Sequence, residues 1–308
     1  MKHLLLFITI LCFTATFSEA QNEVYPDPPS PRTFHRAITL KDEIIVLGGN
    51  DLQTHKPSTK MDRFDPRTRK WTSEDIPIKD PLILLPAAIE EKLYVYNSGE
   101  SSFYCYDSKA QRWDKLKSPS VRRPNASMAA LEDKLILIGG YNAENKITKK
   151  NSVEVYDPKT KSWENGPSLP DYEPTDHFHL TAVLNGKLHV VGHFFEGKSH
   201  WVFDGKTWVN KAEAPVVCGW KSAALEAVDR KLVLIQPDLE NKKAGNAIYT
   251  YDPKSDQWEQ TGKVPQAYPF LLGASASAHG KIYISGGQPM PKKMLVYDVA
   301  SKAWQISK

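Results

Sequence analysis

Cysteine is scarce: the 308 residues hold three, at positions 12, 105 and 218. A disulfide framework of the kind that staples small core-poor domains is therefore excluded. Charge of one sign is also missing. Lys and Arg number 40 against 36 Asp and Glu, interspersed, for a net charge of +4. That argues against nucleic acid as a partner. Past the first twenty residues no apolar run is long enough to cross a bilayer, so no membrane insertion is expected. There is no G-x-S-x-G elbow, no glycine-rich phosphate loop and no His-Glu-x-x-His. No cofactor is expected.

The N-terminus is the exception to the shortage of apolar runs. In "MKHLLLFITILCFTATFSEA", Lys2 and His3 give a positive start, Leu4 to Phe17 is largely apolar, and Ser18 and Ala20 are small. This pattern predicts a signal peptide over 1–20 and a secreted product, periplasmic in a bacterial source. Residues 21–31 would be a short extension. Cys12 leaves with the signal. "PNAS" makes Asn125 a glycosylation sequon if the source is eukaryotic.

What is abundant is repetition. A run ending in Tyr or Phe followed by Asp, then a charged turn, then Trp, occurs six times. The tryptophans are Trp71, Trp113, Trp163, Trp208, Trp258 and Trp304, spaced by 42 to 50 residues. Ahead of each lies a short β-branched run: "EIIVLGG", "KLYVYNS", "KLILIGG", "KLHVVGH", "KLVLIQP" and "KIYISGG". Ahead of these runs come two turn residues, Asn185-Gly186 being the most explicit, and another apolar segment. The pattern predicts four antiparallel strands per unit, six times over. One such sheet cannot bury both faces by itself, so radial packing against neighbours is expected, with Trp filling the wedge between units.

Strand, Gly-Gly, Tyr-Asp and Trp at this period resemble the kelch repeat of β-propellers, over residues 32–308. The resemblance implies an all-β fold, a six-bladed propeller of four-stranded antiparallel blades, with a monomer expected. Units one, three and six keep Gly-Gly, whereas units two, four and five have Asn97-Ser98, Gly192-His193 and Gln236-Pro237. A six-fold ring sets Cys105 and Cys218 on opposite sides, too far apart to bridge, so both are expected as buried thiols.

The resemblance also implies that sites lie on the face built from strand-two-to-three loops and inter-blade connections. Counting back from the glycine pair aligns Arg32 and His35 with Arg123 and Ala126, Asp176 and His179, and Trp220 and Ala223. A rim of Arg32, His35, Arg123, Asp176, His179 and Trp220 would suit an anion, an acidic peptide or a sugar. The alternative is that the arginines hydrogen-bond loop carbonyls. Five of nine histidines fall in unit four. Strand parity puts His177 and His179 on one sheet face and His189 and His193 on the other, which does not assemble a zinc site, and no metal is expected. Copper radical oxidases share the fold, but Cys105 lies between Tyr104 and Tyr106, which point away from it, so their Cys-Tyr crosslink is not expected.

Two functions fit these observations. One is a secreted binding protein whose loop face recognises a protein or carbohydrate ligand. The other is a sugar enzyme resembling the sialic-acid mutarotase type of kelch protein, with Arg32 and Arg123 holding a carboxylate and His179 or Asp176 moving a proton. The absence of a motif-grade catalytic set favours binding.

Overall fold

The computed structural model describes residues 24–140, 153–170, 179–192, 197–217, 224–237, 246–265 and 273–308. Among these the structure is all β. Six four-stranded antiparallel sheets follow one another along the chain; five are built from four consecutive strands, and in the first, two short strands of another sheet come between its second and third. Their first strands are Arg36–Leu40, Leu84–Ile89, Ser127–Leu131, Leu180–Leu184, Ala224–Val228 and Ala274–Ala278. A seventh, three-stranded sheet was not anticipated. Arg32–Thr33, Asn50–Asp51 and Lys56–Pro57 pair as two-residue strands beside the first unit.

The repeated sequence grammar has a local cause at each step. Two-residue loops join first and second strands, with Leu40 opposite Glu43 and Leu184 opposite Lys187. Asn185 and Gly186 both take positive φ (51° and 70°), which lets the turn follow the right-handed strand twist. After each Tyr-Asp or Phe-Asp the Asp carboxylate accepts a backbone N–H in the next turn. The six bonds, onto Asp65, Asp107, Asp157, Asp204, Asp252 and Asp298, measure 2.8–3.0 Å. The aromatic before the Asp then lies directly opposite the Trp, as Phe64 does with Trp71 and Tyr156 with Trp163. Ring centroids stand 4.6 Å apart for Phe203–Trp208 and 5.2 Å for Tyr251–Trp258, within the range where aromatic pairs attract.

Packing then joins the sheets. Six apolar clusters fill six seams, and each contains one of the six repeat tryptophans. In the first, Leu47 and Met61 of unit one meet Leu93, Val95 and Tyr106 of unit two, capped by Trp113. Each fully buried Leu or Val contributes about 2 kcal/mol, so the seams hold the ring together. Four tryptophans also donate Nε1–H to a carbonyl of the preceding linker. Trp163 reaches Lys117, Trp208 reaches Pro167, Trp258 reaches Ala212, and Trp71 reaches Pro26. Pro26 thus stands where a preceding blade's outgoing linker would run. The 24–31 segment forms no strand, yet it seals the last seam. Tyr25 is buried against Phe64, Ala278 and Met294, its carbonyl accepts Lys308 N–H at 2.8 Å, and Asp27 binds Lys293 and Ser307.

No helix among the described residues is long and apolar enough to cross a membrane. Cys105 is buried and free, and Cys218 lies outside the described residues. In unit four Ala182 pairs with His189, and His193 and His177 lie outside the described residues.

Candidate functional site: a central channel above two arginine clamps

The first strands of the six sheets neighbour one another in a closed cycle, from unit one through unit six and back. They enclose a cavity of about 500 Å³ lined from all six. Hydrogen bonds lace adjacent walls: Thr39 Oγ1 donates to Ser277 O at 2.7 Å, and Ser127 Oγ donates to His179 O at 2.8 Å. Most lining side chains are small, with Ala37, Ala87, Ala129, Ala182, Ala227 and Ala276 leaving the lumen open.

Of the candidate rim residues, Arg32, His35, Arg123 and His179 are among the described residues, and His35 and His179 line this cavity. Arg32 is 1% exposed. It forms an ion pair with Asp62 on the third strand of its own unit and donates to Lys60 O at 2.8 Å. Arg123, 3% exposed, does the same in unit three: Nε meets Glu154 at 2.7 Å and Nη1 meets Gly139 O at 3.0 Å. Each carboxylate is held by a serine too, Ser73 on Asp62 and Ser120 on Glu154. The two arginines are therefore clamps that tie the entry segment to the third strand beneath the Gly-Gly pair. Burial pulls the Arg32 pKa down, and Asp62 and Asp51 draw it back up. Gly49 completes the clamp of unit one. Its φ is +75°, and a Cβ there would fall on the Thr33 carbonyl and the His35 backbone.

His35 is buried, with Nε2–H donating to Ser285 O of unit six at 2.8 Å. Desolvation first, then nearby Arg32, pushes its pKa to about 3, so the ring is neutral. His179 is buried likewise and donates Nδ1–H to Gly192 O at 2.7 Å. Asn125 is half-buried in a turn with φ of 61°, a conformation asparagine tolerates. Asp176 and Trp220 lie outside the described residues.

Two of the remaining histidines form a buried pair in the seam between units four and five. His200 Nδ1–H donates to Ala212 O, which leaves its Nε2 to accept Nδ1–H of His189 at 2.9 Å. Desolvation pushes both down, His189 to about 3 and His200 to about 4. Among the described residues no cluster of three or more His, Cys, Asp or Glu could hold a metal ion.

The channel wall itself holds two charged residues that the spacing did not single out, Arg36 in unit one and Glu226 in unit five. Arg36 is half-buried, and among the described residues its hydrogen-bond partner is one carbonyl, His35 O at 3.1 Å. Burial lowers its pKa. Glu226 accepts Ser275 Oγ at 2.6 Å, and desolvation pushes its pKa up to about 7. A polar residue inside "RAITL" or "ALEAV" was the available signal. Which side of the strand faces the lumen emerges only when six units close.

The glycine pair, the aromatic-Asp and the Trp recur along the chain, and two of these units match a motif found in known proteins. The kelch motif matches residues 31–74 and 122–170, the two units that carry the arginine clamps. Two of the six units therefore carry a recognisable kelch motif. Kelch-like protein 35 of Mus musculus is 26% identical over 276 residues, covering 84% of this chain and 43% of its own length. Kelch-like protein 36 of the same species is 25% identical over 235 residues, 68% of this chain and 35% of its own. This chain thus spans less than half the length of those relatives. N-acetylneuraminate epimerase 1 of Escherichia coli O6:H1 is 26% identical over 207 residues, 65% of this chain and 52% of the epimerase. In fold, the solved structure of YjhT matches with a TM-score of 0.69 at 15% identity, over 93% of this chain and 100% of that one.

Proposed function

We propose that this chain is an exported kelch-repeat binding protein, a six-bladed ring that offers its loop face to a protein or glycan partner. The observation that carries this reading is the contrast between the two ends of the ring. One end consists of two-residue hairpins and Asp-anchored turns of nearly constant length. The other gathers the connections between second and third strands, which run from Ser98–Ser101 in unit two to 139–152 in unit three. Length and composition vary where contact with a partner would select for them, on a scaffold kept uniform elsewhere. The sequence of residues 1–20 supports export.

The sugar-enzyme reading asks Arg32 and Arg123 to hold a substrate carboxylate. Both guanidinium groups are already committed to protein carboxylates, which leaves that reading the weaker one. Glycan-array and cross-linking measurements on the secreted protein test the proposal. Replacing the exposed Gln53–Lys56 tip, or residues 141–152, with a short turn should abolish partner capture. Replacing the Asp107–Arg112 turn at the opposite end should leave capture intact. The reverse pattern would place the interface on the wrong face. Faster anomer exchange of free sialic acid, lost on His179→Ala, would reinstate the enzyme.

A further inference from the structure

Arg36 presents a problem of solvation. Its guanidinium stands inside a protein-walled channel with desolvation enough to depress its pKa, and one backbone carbonyl is its hydrogen-bond partner among the described residues. A cation withdrawn from water without a counter-charge is costly. Arg32, four residues earlier, meets the same cost with Asp62. For Arg36 the described residues of the two neighbouring walls, 85–88 and 273–277, include no carboxylate.

From this geometry we infer that the channel is a binding site for a small organic monocarboxylate, held at Arg36, independent of the loop-face interface proposed above. A guanidinium has five N–H donors, and one bond to His35 O leaves a planar edge free to fork a carboxylate. The lumen of about 500 Å³ matches the size of small-molecule sites. Its alanine-rich wall accepts an apolar stem. Thr39, Thr181, Ser275 and Ser277 put hydroxyl groups on three walls. One cation balances one negative charge and no more. Glu226, on the wall of unit five, disfavours a second, so a monoanion fits better than a phosphate dianion.

The titratable groups that face this lumen among the described residues are Arg36, Glu226, His35 and His179. Both imidazoles bond to backbone carbonyls, Ser285 O and Gly192 O. Glu226 alone should therefore gate affinity with pH. Neutral Glu226 tolerates the anion and ionised Glu226 repels it.

Titration calorimetry on the full chain tests the site, with acetate, lactate and gluconate as probes and inorganic phosphate as the contrasting arm. The expected result is one saturable site for at least one carboxylate, weakened tenfold or more by Arg36→Gln. Affinity should fall between pH 6 and pH 8 in the wild type and stay level in Glu226→Gln. If Arg36→Gln does not fold, Arg36→Lys replaces it and should weaken binding several-fold, because the fork is lost and the charge kept. No saturable carboxylate binding, equal affinity in the arginine variant, or tighter binding of phosphate would each overturn the inference.

Discussion

Arg32 and Arg36 lie four positions apart in one unit, yet they sit in regions with opposite physics. The clamp region surrounds Arg32 with Asp62, Ser73 and backbone carbonyls, and unit three rebuilds that arrangement around Arg123 and Glu154. In the channel wall Arg36 and Glu226 stand two units apart, each with neutral partners. A closed network makes an arginine structural. An open one leaves charge available to something from outside. Residue type alone does not separate the two.

The comparison can be broken most forcefully at the clamps. Glu154→Ala removes the carboxylate that the buried Arg123 Nε–H binds at 2.7 Å and should cost about 3–5 kcal/mol in urea unfolding. A loss below about 1 kcal/mol would mean the clamp is not structural. Gly49→Ala forces a Cβ into the Thr33 carbonyl at φ +75° and should cost about 2 kcal/mol or more by the same assay.

pH separates the buried histidines from Glu226 by sign. His35, His189 and His200 are packed, with folded pKa values near 3, 3 and 4 against about 6.5 unfolded. The unfolded chain binds more protons across that window. Stability should therefore fall as pH drops from about 6.5 towards 4, by on the order of 1 kcal/mol per pH unit per group. A flat thermal midpoint over that range would show that these rings are not buried neutral. Glu226 runs the other way. Its folded pKa near 7 lies above the unfolded value, so its contribution is complete below about 4.5 and is lost as pH rises through 7. Glu226→Gln should raise the melting temperature at pH 8 and leave it unchanged at pH 4. The smallest loss belongs to Arg36→Gln, which removes a desolvated cation without a counter-charge and should cost the fold no stability. A loss as large as that of Glu154→Ala would make Arg36 a second structural clamp.

Much of the fold was legible because its causes are local. Asp157 and Trp163 lie within a few residues of the turn they define, and Asn185-Gly186 sets its hairpin without help. The seam tryptophans were legible for a related reason, since a sheet this small has to bury its faces on neighbours. The candidate site was less so. Arg32 and Arg123 stood out by their common offset, but Asp62 and Glu154 lie some thirty residues further on, across a loop that the sequence does not fold for the reader. Arg36 and Glu226 were invisible for a deeper reason. Their strands are separated by most of the chain, and only ring closure sets both into one lumen. The 24–31 segment was equally opaque, because it seals a seam through Tyr25 and Asp27 without becoming a strand.

The most direct measurement follows the arginine Nε–Hε cross-peaks of the folded protein by NMR while lactate is added. The Arg36 peak should move and saturate, while those of Arg32 and Arg123 stay where they are. Movement of the Arg32 and Arg123 peaks with Arg36 unmoved would contradict the division between closed clamps and an open channel.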